Sequence, residues 1–169
     1  MELHIKKDPV ELSQALAEWI TEYIEVSLRK QQRFTWALTG GSSPKILYDL
    51  LSQPPFRERI AWEKLHFFWG DERAVPFDDE RNNAKMCFDH LLNRVPVKND
   101  QVHTMRTDMD PMDSAREYEK ILRKYFDDNG NSFDLVLNGM GEDGHTLSLF
   151  PGTAVIHEEK AWVKSFYLE

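Results

Sequence analysis

A single cysteine, Cys87, leaves the chain without an internal disulfide, in keeping with a reducing compartment. No apolar stretch approaches the run of about eighteen residues that a membrane span needs. The opening "MELHIKKDPVELSQ" also lacks the apolar core of a secretory signal. The expected location is therefore cytoplasmic, with no membrane partner. Positive charge is in deficit: 21 Lys and Arg against 29 Asp and Glu give a formal net charge of −8. A field of that sign repels polyanions, so nucleic acid is not an expected partner. A small phosphorylated ligand stays compatible, because screening over about 8 Å lets a few local cations outweigh distant carboxylates. Metal signatures fail on spacing. "DMDPMD" lacks the glycine and distal glutamate of a calcium loop, and "HEEK" at His157 is not H-E-x-x-H. There is no G-x-S-x-G nucleophile elbow either.

What is present suits one domain spanning residues 1–169, long enough to bury about 70% of the surface its unfolded form exposes. "DPVELSQALAEWITEYIEVSLRKQQ" predicts a long helix, with Asp8 as N-cap, Pro9 in the first turn and Glu11 closing a capping-box-like pair. Leu12, Leu16, Trp19, Ile20, Tyr23 and Ile24 recur at three- and four-residue spacing and predict its buried face. "FTWAL" (Phe34 to Leu38), "LHFFW" (Leu65 to Trp69) and "FDLVLN" (Phe133 to Asn138) read as strands. Between them, helical patterns follow "GGSSP", with Ile46, Leu47, Leu50 and Leu51 inward. Further helices span Asn82 to Leu92 and Asp110 to Phe126, the last with Tyr118, Ile121, Leu122 and Tyr125 along one side. Strands alternating with helices predict an α/β domain around a mainly parallel, Rossmann-like sheet. Ligands in such sheets gather beyond the carboxyl ends of the strands.

Each strand there runs into an unusual loop. "TGGSSPK" is accounted for by a tight turn and a helix start, with Gly40 and Gly41 supplying the backbone freedom, Ser43 the cap and Pro44 the first turn. The alternative is a phosphate cradle, in which bare backbone, the hydroxyls of Ser42 and Ser43, and Lys45 face an anion. It is not a nucleotide P-loop, whose lysine follows the second glycine of G-x-x-x-x-G-K-[ST]. In "GDERAVP", Asp71 and Arg73 emerge directly after an apolar strand, and Arg73 suits bidentate capture of phosphate or carboxylate. Asn83 is either a cap or a neutral hydrogen-bonding group for a ligand. "GMGEDGH" satisfies the dinucleotide fingerprint G-x-G-x-x-G. However, only "HTLSLF" follows before Pro151, and Glu142 and Asp143 would face the pyrophosphate without compensation. A general-base histidine fits better: an ordinary imidazole titrates near 6.5 and accepts a proton at neutral pH. His145 would fill that role with Asp143 orienting it, against the plain alternative of a structural loop histidine.

"LTGGSSPKILYDLL", "FFWGDERAVPFDDERNNAKM" and "FDLVLNGMGEDGHTLSLFPG", in this order, closely resemble the 6-phosphogluconolactonase family. The resemblance runs from the first helix to about Gly152. It implies hydrolysis of 6-phospho-D-glucono-1,5-lactone in the oxidative pentose phosphate pathway, without a required cofactor or metal. It also implies the fold shared with glucosamine-6-phosphate deaminases and ribose-5-phosphate isomerases. By the same resemblance Gly40, Gly41, Ser42, Ser43 and Lys45 match the phosphate-side loop, Arg73 the phosphate-binding arginine and His145 the base. Asp71 and Asp143 match motif acids. The family more often has Thr at position 43, Ser at position 82 and a small residue at position 147. Its members continue past the strand resembled by "AWVKSFY", whereas this chain stops at Glu169, so both a C-terminally incomplete domain and a complete one stay open. The nearest rival, an aminosugar-phosphate deaminase, usually reads Asp-Glu-Tyr where this chain has "DER". A non-catalytic sugar-phosphate binder is the rival from another class. Oligomeric state is not legible.

Overall fold

The computed structural model describes residues 2–126 and 132–168. Its elements run α1 (Pro9–Ser27), β1 (Phe34–Leu38), α2 (Lys45–Leu51), α3 (Phe56–Arg59), β2 (Leu65–Trp69), α4 (Asn83–His90), α5 (Pro111–Phe126) and β3 (Leu135–Val136). The strands form one parallel sheet in the order β2-β1-β3. Both faces are covered. Phe34, Trp36 and Leu38 of β1 and Leu65, Phe67 and Trp69 of β2 pack with α1, α2 and α4 into the larger core. Ala37 and Phe68 point the other way, into a smaller cluster with Tyr118, Leu122 and Phe126 of α5. This two-sided burial is why the first two strands read as nearly continuous apolar runs, interrupted only by Thr35 and His66, rather than alternating ones.

Five local expectations need correction. On α1 the buried face is Ser13, Ala17, Ile20, Thr21 and Ile24, while Leu12, Trp19 and Tyr23 are exposed. Small residues let the helix backbone approach its neighbours, and the Thr21 hydroxyl is satisfied by donating to the Ala17 carbonyl at 2.8 Å. Trp19 and Tyr23 instead stack on each other outside, ring centroids 5.1 Å apart. In α2 Ile46 is exposed, whereas Tyr48 is fully buried. Ser43 does not cap this helix: Pro44 occupies the N-cap position and no side chain bonds there. The strand expected from Phe133 to Asn138 contracts to Leu135–Val136. There the Asp134 carboxylate accepts the Thr35 amide and hydroxyl, each at 2.7 Å, in place of a ladder carbonyl. Backbone bonds from Asp134 to Thr35 and from Leu137 to Ala37, both 3.0 Å, still hold the segment alongside β1. The stretch 161–167 is not a strand. The Asp8 cap does form, its carboxylate accepting the Glu11 amide at 2.8 Å.

Under α5 lies a polar cluster. The Tyr125 hydroxyl bridges His66 Nδ1 at 3.0 Å and His103 Nε2 at 2.8 Å. Burial first, and then the neighbouring His66, lower the His103 imidazole from 6.5 to about 4. The unfolded chain therefore takes up a proton that the folded one refuses. Stability is full above about 6.5 and declines as pH falls toward 4, with a slope of at most about 1.4 kcal/mol per pH unit from this site. Urea denaturation across that range is expected to show the decline, and His103→Gln is expected to flatten it.

Candidate active site

Parallel strands end on one edge, so the loops after β1, β2 and β3 leave the sheet together. Their contacts run through Asp71. Its Oδ1 accepts from Asn83 Nδ2 at 3.2 Å, and its backbone carbonyl accepts from the same amide at 3.1 Å. Its Oδ2 accepts the Ser148 hydroxyl from the loop after β3. Arg73 Nε lies 4.0 Å from the same oxygen, with half of the arginine side chain exposed. Asn83 also backs onto the first loop, where a Cβ at Gly40 would stand 1.7 Å from Asn83 Oδ1. Leu147 closes the remaining side: a Cβ at Gly70 would lie 2.8 Å from both of its terminal methyls. Leu147 itself has φ 56, a left-handed conformation costly for a branched residue. This is the position where the resembled family more often carries a small side chain.

Gly41, Ser42, Ser43 and Lys45 are all exposed on the first loop, with Gly41 at φ 85. Their backbone and hydroxyls, together with Lys45 and Arg73, are donors open to an anion. What the loop offers is exposed donors and cations rather than a long helix axis, since α2 has only seven residues. Asp71 and Asn83 hold the loops to one another, and the Asn83 amide spends its donors on Asp71.

On the third loop His145 Nδ1 stands 2.5 Å from Asp143 Oδ1, and the His145 amide donates to the same oxygen at 3.2 Å. The imidazole rests on Phe150, with centroids 4.2 Å apart. Hydrogen bonds from His145 hold the Asp143 carboxyl below the usual carboxylate range. With Nδ1–H donating to that carboxylate, the lone pair of the ring sits on Nε2. The second glycine of the fingerprint explains itself here. A Cβ at Gly141 would fall 2.3 Å from His145 Nδ1 and 2.9 Å from Asp143 Oδ1. The glycine admits a histidine ring, not a pyrophosphate. No long helix follows, the described chain continuing instead through turns to Phe150.

Glu72 and Ser148 were not singled out by sequence reasoning. The Glu72 carboxylate accepts the backbone amides of Asn83, Ala84 and Arg73 at 2.7, 2.8 and 2.8 Å. It caps α4 while fixing the backbone that carries Arg73, and burial pushes its carboxyl above the ordinary range. Neither carries a motif signal of its own: Glu72 lies beyond the end of β2 at Trp69, where strand alternation no longer applies, and Ser148 lies in a turn.

The model of the family described as glucosamine-6-phosphate isomerases/6-phosphogluconolactonase matches residues 7–167. The chain belongs to this family. A 6-phosphogluconolactonase of Nostoc is 39% identical over 137 residues, covering 79% of this chain and 55% of that protein. The probable 6-phosphogluconolactonase of Schizosaccharomyces pombe is 39% identical over 166 residues, 90% of this chain and 62% of the relative. A rice protein named probable 6-phosphogluconolactonase 3, chloroplastic, is 36% identical over 90% of this chain and 49% of its own length. The chain thus spans about half the length of the curated relatives it matches. The solved 6-phosphogluconolactonase of Trypanosoma brucei superposes with a TM-score of 0.81 at 34% identity, covering 95% of this chain and 67% of that one. A monomeric glucosamine-6-phosphate deaminase, at 21% identity and TM-score 0.77, shares the fold over 91% of this chain and 61% of its own. Among the described residues no helix is long and apolar enough to cross a membrane.

Gly40→Ala drives a methyl into Asn83, and an unfolding free energy lower by about 1–3 kcal/mol is expected in urea titration. Gly139→Ala, whose Cβ meets nothing within 4 Å, is the matched control and is expected to stay within about 0.5 kcal/mol.

Proposed function

We propose that the site hydrolyses 6-phospho-D-glucono-1,5-lactone to 6-phosphogluconate. The observation that carries the reading is the pairing of His145 with Asp143 on a loop tied, through Ser148 and Asp71, to the loop of Arg73. The phosphate docks against the exposed Gly41 to Ser43 backbone and hydroxyls, with Gly40 behind them and Lys45 and Arg73 as counter-charges. The lactone carbonyl then lies toward His145. Nε2 takes a proton from water as the oxygen attacks the carbonyl carbon, and Asp143 stabilises the imidazolium that forms. Collapse of the tetrahedral adduct breaks the bond to the ring oxygen, which takes the proton back from Nε2. The product acid then ionises in solvent. A δ-lactone is already electrophilic and its leaving alcohol stays tethered, so one positioned base meets the need without a metal or cofactor. The relatives' names and the family's three loop motifs support the same substrate. The buried Cys87 agrees with a reducing compartment such as the cytoplasm.

The test is lactone hydrolysis measured against the spontaneous rate. His145→Ala is expected to lower kcat by about 10²- to 10⁴-fold, while affinity for 6-phosphogluconate is retained. Gly141→Ala, which pushes the imidazole off its seat, is expected to reduce kcat in the same direction without weakening product binding. Tight binding of 6-phosphogluconate by a protein with no turnover above background would instead identify a non-catalytic sugar-phosphate binder.

A further inference from the structure

Two buried tyrosines make the same contact at the ends of two adjacent strands. Tyr48 of α2 is fully buried. Its hydroxyl accepts the Thr39 amide at 3.1 Å and donates to the Thr39 carbonyl at 3.0 Å. Tyr118 of α5 is 2% exposed. Its hydroxyl accepts the Trp69 amide at 2.8 Å and donates to the Trp69 carbonyl at 3.1 Å. Tyr48 belongs to the larger core and Tyr118 to the smaller, so the two phenols reach the sheet edge from opposite faces. Thr39 and Trp69 stand where β1 and β2 stop. Immediately beyond them come Gly40 to Ser43 and Gly70 to Arg73, the loops with the anion donors.

A backbone amide and carbonyl at the end of a buried strand need partners when the ladder runs out, because an unsatisfied buried group is costly. A side chain that satisfies both groups of one residue also fixes the direction in which the chain leaves the strand. Packing alone needs no hydroxyl at either position. Burial pushes the phenol of Tyr118 above its ordinary range, and likewise that of Tyr48, so both stay protonated and able to donate.

We propose that Tyr48 and Tyr118 are positioning residues that hold the two anion-binding loops at a fixed exit angle from the sheet, one hydroxyl per loop. On the premise that the site handles a phosphosugar lactone, their removal weakens ground-state binding of the phosphate and leaves the His145 chemistry intact.

The experiment compares Tyr48→Phe and Tyr118→Phe by native-state amide exchange and by kinetics with 6-phosphogluconolactone. Tyr48→Phe is expected to speed exchange at Thr39 by about tenfold beyond any change in global stability, and Tyr118→Phe to do the same at Trp69. Each is expected to raise KM by about tenfold with kcat within about threefold. If both amides exchange only through global unfolding in the variants, or if kcat falls with KM unchanged, the positioning role is overturned. Should the wild-type protein lack turnover, the lactonase assignment fails separately. The pins are then judged by amide exchange and by titration with 6-phosphogluconate, where unchanged affinity in both variants would overturn them. If a Phe variant does not fold, exchange in the wild-type protein decides. Protection at Thr39 and Trp69 far above that at Gly41 and Asp71 supports the pins, and uniform protection overturns them.

Discussion

Parallel pairing of β1 with both β2 and β3 is the constraint on which the site depends. Strands running in one direction end on one edge, so loops separated by tens of residues in the chain leave the sheet side by side. Register completes the effect. Leu38 pairs with Trp69, so the first and second loops begin at the same height, and Val136 pairs with Ala37 one step below. A one-residue slip would exchange the two faces of a strand, carrying Phe68 or Trp69 into the wrong core.

Above that edge the loops are joined by polar contacts rather than by a shared apolar patch. Asp71 is the common acceptor, Glu72 caps α4, and Tyr48 and Tyr118 close the ends of the ladders. The overall charge of −8 does not prevent anion capture at such a place. Asp71 is engaged by Asn83 and Ser148, whereas Lys45 and the outer part of Arg73 face solvent. Local donors govern binding over a few ångströms, and the distant field is screened.

Some of this was legible in the residues. The bounds of β1 and β2 follow from their apolar runs, because a strand buried on both faces admits almost no polar residue. The pairing of Asp143 with His145 follows from closeness in sequence across a glycine turn. On α1 hydropathy finds Ile20 and Ile24, but it also counts Trp19 and Tyr23 as inward and does not show that close packing selects Ser13, Ala17 and Thr21. β3 is shorter than its apolar run because Asp134 replaces a backbone acceptor with its side chain. Tyr48 and Tyr118 sit on α2 and α5, yet their hydroxyls act at a distance of 9 and 49 residues, which helical periodicity does not reveal.

By itself the sequence determined the kinds of element, their order, and the chemical inventory of three loops, because propensity and periodicity are properties of neighbouring residues. Only the tertiary structure decided which members of that inventory meet: Ser148 with Asp71 across 77 residues, Asn83 beneath Gly40, Leu147 on Gly70. Such contacts depend on strand order, direction and register together. None of these is written in any single stretch of chain.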